Sequence, residues 1–243
     1  MITKVLSVGG SIIAPEKPDT EFLRNFCSMA IDYLVSNTET RLILVAGGGG
    51  PARMYQNAFK DVTDSYSDIQ KKHACYGIKE DLNNTGDWLG IMATRLNAQL
   101  LKAAFGPLCL QDVVTDPTKV FDFTGRVLVA AGWKPGFSSD NDAVLLAERF
   151  HADTVVNLSN IEKVYTDDPR KNPDAKPLDT ISWADFRKMV GDEWVPGKNC
   201  PFDPIASKKS EQLKLTVICA AGKNIPNIRN ILDGKDYIGT TIK

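Results

Sequence analysis

The sequence predicts an α/β fold with a mostly parallel sheet covered by helices on both faces. Short apolar, β-branched runs alternate with longer stretches of helical period, and glycine-rich corners follow the first two runs. The length of 243 residues, with 43% hydrophobic and 24% charged side chains, is enough for one large domain with a buried core.

The expected strands are residues 4–8, 41–46, 107–110, 126–131, 154–158 and 215–220. Between the first two, Phe22, Phe26, Met29, Ala30 and Tyr33 recur at amphipathic helical spacing, with Asp19 or Thr20 as the cap. Leu89, Ala93, Leu96, Leu100 and Ala103 repeat the pattern in a second long helix, and residues 143–150 and 205–213 read as shorter helices. Residues 61–84 are polar and lack a clear period, the signature of a lid or excursion. Residues 167–176 contain Asp168-Pro169 and Asn172-Pro173 and form a loop, and residues 234–243 end in a last strand or turn.

Charge and composition exclude several classes. Subtracting 30 Asp and Glu from 29 Lys and Arg leaves −1, which argues against a basic nucleic-acid footprint. Apolar runs such as 42–46 and 127–131 fall far short of the roughly 20 residues that cross a bilayer. The first ten residues hold a short apolar stretch that stops at glycine, so no signal peptide and a cytoplasmic location are expected. Five widely spaced cysteines without a C-x-x-C pair read as reduced thiols, and with two histidines no zinc site is expected.

Gly9-Gly10-Ser11 follows the first strand and Gly47-Gly48-Gly49-Gly50-Pro51-Ala52-Arg53 the second. In open α/β sheets, ligands bind at the carboxyl edge of the strands. Glycine lets the main chain approach an anion closely, and a helix starting near Pro51 adds the positive end of its dipole, so phosphate is the expected guest. The alternative is that these glycines only make tight turns. No G-x-x-x-x-G-K-[ST] occurs, which excludes a P-loop kinase. Gly47-x-Gly49-x-x-Ala52 matches the dinucleotide fingerprint, but the acidic residue it needs falls in polar, unperiodic sequence.

Three further clusters are individually ambiguous. Asp87 precedes Gly90 and the second long helix, where an N-cap or first-turn carboxylate is the plain reading. Pro135-Gly136-Phe137-Ser138-Ser139-Asp140-Asn141-Asp142 could equally cap the next helix. Ser159-Asn160 and Tyr165-x-x-Asp168-Pro169 fit turn chemistry.

In this order, however, the segments resemble the amino acid kinase family, and within it the uridylate (UMP) kinases of archaeal type. The resemblance covers nearly the whole chain and is carried by Gly9-Gly10-Ser11, Gly47-Gly48-Gly49 with Ala52-Arg53, and the helix running from Asp87-Trp88-Leu89-Gly90 to Asn97-Ala98. Pro135-Gly136-x-Ser138-Ser139-Asp140, Asn160-x-x-x-Val164-Tyr165-Thr166-x-Asp168-Pro169 and Asp203-Pro204-x-Ala206-x-Lys208 complete it. It implies an open αβα sandwich with the acceptor bound by residues of about 1–150 and ATP by about 151–243. It also implies direct in-line transfer of the γ-phosphoryl group to UMP. Gly10 and Ser11 would contact the ATP phosphates, Gly48 the UMP, and Gly49 with Arg53 the phosphates near the transfer point. Asp87 would hold the ribose, and Trp133, Lys134, Pro135, Gly136, Phe137, Ser138 and Ser139 would line the UMP site. Ser159, Asn160, Tyr165 and Asp168 would bind the adenine nucleotide. Asp140 resembles the aspartate that orders polar groups around the transferring phosphate, and Lys208 is either a cationic helper or a solvated lysine. Mg²⁺ would arrive with ATP, and members of the subfamily are commonly hexamers.

The chain departs from the family pattern in three places. The usual Thr-Thr-Asp is Ser138-Ser139-Asp140, with Phe137 in place of a frequent histidine; Ser7 stands where many relatives carry lysine; and Lys163 replaces a turn glycine. They leave two alternatives open: the same fold acting on a small carboxylate, or a nucleotide-binding protein without efficient transfer.

Overall fold

The computed structural model describes residues 1–65, 82–191 and 200–243. In chain order the elements are β1 (Ile2–Val8), α1 (Gly10–Ile13), α2 (Thr20–Ser36), β2 (Thr40–Ala46), α3 (Gly49–Ser65), α4 (Leu82–Phe105), β3 (Val127–Ala130), α5 (Ser139–Arg149) and β4 (Thr154–Ser159). There follow β5 (Val164–Tyr165), β6 (Pro177–Leu178), β7 (Thr180–Ile181), α6 (Trp183–Val190), α7 (Pro204–Leu213), β8 (Thr216–Ala221), α8 (Ile225–Asp233) and β9 (Thr240–Ile242). The main sheet runs β3-β2-β1-β4-β8-β9-β7, and only the β8–β9 pair is antiparallel. Strands β5 and β6 form a separate antiparallel ribbon.

Alternation along each strand sorts its side chains between two layers. Leu6, Val8, Leu42, Leu44, Val127 and Val129 pack with α2, α4 and α8; Val5, Ile43, Val45 and Leu128 pack with α5, α6 and α7. The expected αβα sandwich follows from this two-sided burial. Ser7 and Asn157 break the apolar pattern on the second face: both are buried, and both are polar.

Asp19 caps α2, its carboxylate accepting the Phe22 N–H at 3.0 Å, and the predicted apolar stripe of that helix is buried. Three sequence expectations change. Residues 107–110 are not a strand: Gly106, at φ +52°, opens a 3₁₀ turn (Gly106–Leu108) closed by the Cys109 N–H on the Gly106 carbonyl. Proline in that turn lacks the N–H a central strand would need. Within the polar stretch 61–84, residues 61–65 end α3 and 82–84 begin α4, while 66–81 lie outside the described residues. Finally, α4 starts at Leu82, so Asp87 lies inside the helix rather than at its cap. Cys27, Cys109 and Cys219 are free, buried thiols, as expected, and no helix among the described residues is long and apolar enough to cross a membrane.

Candidate active site

Strand register places the site. Val8 pairs with Ala46 on one side and Leu158 on the other, so Gly9, Gly47 and Ser159 lie side by side at the carboxyl edge of the sheet. The two glycine corners interlock. A Cβ on Gly10 would lie 2.0 Å from the Gly49 nitrogen, and Gly49, at φ +68°, would place one 2.3 Å from the Ala14 and Gly10 carbonyl oxygens. Only glycine allows the backbones this close.

Helix α4 fixes the second corner. Buried Asn97 donates from Nδ2 to the Gly47 carbonyl at 2.8 Å and the Gly48 carbonyl at 3.1 Å. Because a trans peptide sets its N–H opposite its C=O, drawing these carbonyls towards α4 turns the Gly48 and Gly49 N–H groups the other way. Ser11 is half-buried on α1, and Arg53 is exposed on α3. Arg53 Nη2 makes one long contact, 3.4 Å, to the Pro15 carbonyl, which leaves the guanidinium's other donors open to an incoming anion.

The loop after β3 is held by side chains from two helices. Asp87 accepts the Gly136 N–H at 3.2 Å, Thr94 Oγ1 accepts the Gly132 N–H at 2.8 Å, and Arg95 donates to the Trp133 carbonyl at 3.1 Å. From α5, Asp142 accepts the Trp133 N–H at 3.1 Å. The rings of Trp133 and Phe137 sit 4.9 Å apart, with Lys134 Nζ 4.0 Å above the indole. Gly136 is at φ +82°, next to Pro135, and turns the loop back towards α5. Ser138 caps α5 by accepting the Asn141 N–H at 3.2 Å, and Ser139 opens the helix.

Asp140, in the first turn of α5, sits where three elements meet. Its Oδ1 accepts from Ser7 Oγ of β1 at 2.9 Å, and its Oδ2 from the Asp203 N–H at the start of α7 at 3.3 Å. Asp203 caps α7 through the Ala206 N–H at 2.7 Å, and Asn157 of β4 holds the adjoining Pro201 carbonyl at 2.8 Å. Burial, with the Asp203 charge nearby, pushes Asp140 up to about 6. Burial also pushes Asp142 up to about 7, reinforced by Asp140, Asp116 and Asp203, and it raises Asp203. Among the described residues no lysine or arginine pairs with Asp140, Asp142 or Asp203, and Asp142 Oδ1 has no hydrogen-bond partner.

On the other side, Ser159 ends β4, its Oγ accepting the Ile161 N–H at 3.3 Å, and Asn160 is exposed beside it. Tyr165 lies on the β5–β6 ribbon. The Asp168 carboxylate is engaged by Arg170 at 3.0 and 3.1 Å, which holds it below the ordinary carboxylate range. Lys208 is exposed on α7.

The structure therefore brings Gly10, Gly48, Gly49 and Asp140 to one edge, and joins Asp87 to the 132–139 loop. Asn97 belongs to the 87–98 motif and Asp142 to the 135–142 cluster, but neither they nor Thr94 carry a site role in the sequence reading. The signal for two of them is helical spacing: Thr94 and Asn97 follow Asp87 by seven and ten residues, on one face of α4.

A family model described as the amino acid kinase family matches residues 3–220. The chain is 33% identical to the uridylate kinase of Methanospirillum hungatei over 100% of its own length and 95% of that protein's. It is 31% identical to the uridylate kinase of Thermococcus kodakarensis over 98% of each. The crystal structure of uridylate kinase from Archaeoglobus fulgidus superposes over all of both chains with a TM-score of 0.76 at 29% identity. With the fold, the interlocked glycine corners and full-length similarity in agreement, the chain belongs to the amino acid kinase family.

Proposed function

We propose that the chain transfers the γ-phosphoryl group of ATP directly to UMP, giving UDP and ADP. The observation that carries this reading is the tie between Asp87 and the Gly136 N–H, because it sets a carboxylate suited to ribose hydroxyls against the loop assigned to UMP. Relatives named uridylate kinase that align over 95% and 98% of their length support it. In-line phosphoryl transfer needs little covalent chemistry and depends on positioning and charge neutralisation. Gly10, Ser11, Gly49 and Arg53 supply backbone and guanidinium donors to the phosphates, Gly48 with residues 133–139 holds UMP, and Ser159, Asn160, Tyr165 and Asp168 face the adenine nucleotide. Mg²⁺ enters as part of the substrate MgATP and offsets phosphate charge.

Residues of about 1–150 form the acceptor part and about 151–243 the ATP part, with Asp140 at their seam. The chain also self-associates, as a hexamer built from dimers. An exposed apolar stripe on α4, Trp88, Met92, Leu96 and Leu100 at intervals of four residues, supports an interface between copies.

The test is ADP release with MgATP against UMP, CMP, AMP, glutamate, acetylglutamate and aspartate, with products identified by mass. Selective turnover of UMP is expected. Turnover of a carboxylate instead of UMP would reassign the acceptor, and ATP binding without turnover on any acceptor would remove the kinase reading.

A further inference from the structure

The two oxygens of the Asp140 carboxylate are held by different elements of the seam, Oδ1 by Ser7 and Oδ2 by the backbone at Asp203. The Ser7 hydroxyl reaches it because strand alternation turns Ser7, between Leu6 and Val8, to the face on which α5 packs. Ser7 is 1% exposed, so its hydroxyl is not held by solvent, and Asp140 is the hydrogen-bond acceptor it has. In a site read as bringing two polyanions together, this hydroxyl is also the sole side-chain donor to Asp140 among the described residues.

We infer that Ser7 is a positioning residue for phosphoryl transfer: its hydroxyl, donated to Asp140 Oδ1, fixes the orientation of that carboxylate at the seam between β1 and α7. The inference rests on the assignment of Asp140 to the transfer point. A serine does this without adding charge, whereas a carboxylate held only by the longer Asp203 N–H contact can turn about its Cβ–Cγ bond and lose its aim at the neighbouring groups.

The charge environment gives the link a measurable consequence. Among the described residues, the groups that face Asp140 are Ser7 from β1, Asp203 from the start of α7, Asp142 on its own helix and Cys219 from β8. None is cationic, so the donated hydroxyl is the side-chain contact that favours the ionised form, against burial and the Asp203 charge. Removing it moves the Asp140 titration to higher pH, and activity that needs the carboxylate is then lost earlier as pH falls. The substrate phosphates titrate alike in both proteins and cancel in the comparison.

The experiment compares the wild-type chain with Ser7→Ala and Ser7→Thr. It reads two things: the pH dependence of kcat for UDP formation, and the Asp140 carboxyl titration in the substrate-free chain by ¹³C NMR, assigned with Asp140→Asn. For Ser7→Ala the expected results are a kcat lower by about tenfold, KM values for UMP and ATP within about twofold, and an upward move of about one pH unit in both acid limb and titration. Ser7→Thr restores both. An Asp140 titration unmoved in Ser7→Ala, or a threonine variant as impaired as the alanine one, would overturn the inference. If the wild-type chain fails on UMP and turns over another acceptor, the functional reading falls by itself, while the titration still judges the Ser7–Asp140 link.

Discussion

Asp87 is placed by α4 so that its carboxylate meets the Gly136 N–H, leaving one oxygen for other donors. Asp87→Asn keeps the shape and removes the charge, so KM for UMP should rise about tenfold or more with KM for ATP nearly unchanged, because hydrogen bonds to a charged group are worth about 1.5–3 kcal/mol. Equal changes in both constants, measured by steady-state kinetics, would deny it an acceptor role. Asp142 makes a different prediction, about stability. Burial and neighbouring carboxylates raise its pKa to about 7 in the fold against 3.8 unfolded. The folded state thus binds the extra proton, and the contribution of Asp142 is fully present below the unfolded value and lost as pH rises through about 7. Asp142→Asn, which can still accept the Trp133 N–H, should raise Tm at pH 8 by about 2–4 °C, equivalent to about 1 kcal/mol, and have a smaller effect at pH 4. Calorimetry at the two pH values checks this, and a larger gain at pH 4 would contradict it. At this scale the sequence was only partly legible. Asp140 and Asp87 stand out through motifs, but Asp142 reads as another first-turn carboxylate, and its raised pKa depends on burial and on Asp116 and Asp203, which the fold brings near it from distant segments.

The glycine corners are the element that makes the site possible. Their interlock predicts that Gly10→Ala, whose Cβ would fall 2.0 Å from the Gly49 nitrogen, destabilises the chain by at least about 3 kcal/mol, seen as a lowered urea midpoint. An unshifted midpoint would mean that the corners can separate. Much of this level could be read from sequence, because periodicity of 2 or 3.6 reports which faces are buried: α2 with its Asp19 cap and the two glycine turns are examples. Residues 107–110 read as a strand in the sequence because a short apolar run looks the same in a strand and in a turn until Gly106 adopts positive φ. The extension of α4 back to Leu82 is not legible for a related reason: Asn83, Asn84, Thr85 and Gly86 are weak helix formers, and packing against α3 overrides that preference.

Across the whole molecule, parallel strands bring segments far apart in sequence to one edge, and α4 serves both the site and the surface. Arg95 holds the Trp133 carbonyl while lying 5.6 Å from the Trp88 ring, part of the exposed stripe. Leu96, 71% exposed at the middle of that stripe, is the place to test self-association. Leu96→Glu would bury a charge in any interface formed there, so light scattering should show a smaller assembly than the wild-type chain forms. An assembly of unchanged mass would place the interface elsewhere. The sandwich was legible from alternation and length, whereas the seam at Asp140 was not, since it joins residues 7, 140 and 203 and no local pattern links them.

Acceptor identity is tested most directly by UDP formation from UMP and MgATP, followed by mass in parallel for the wild-type chain and Arg53→Ala. The prediction is UDP and ADP in equal amounts from the wild-type chain, and a rate lower by about a hundredfold or more in the variant, whose Tm stays within about 2 °C because Arg53 is exposed. No UDP from the wild-type chain, under conditions in which it phosphorylates a carboxylate or binds ATP without turnover, would contradict it.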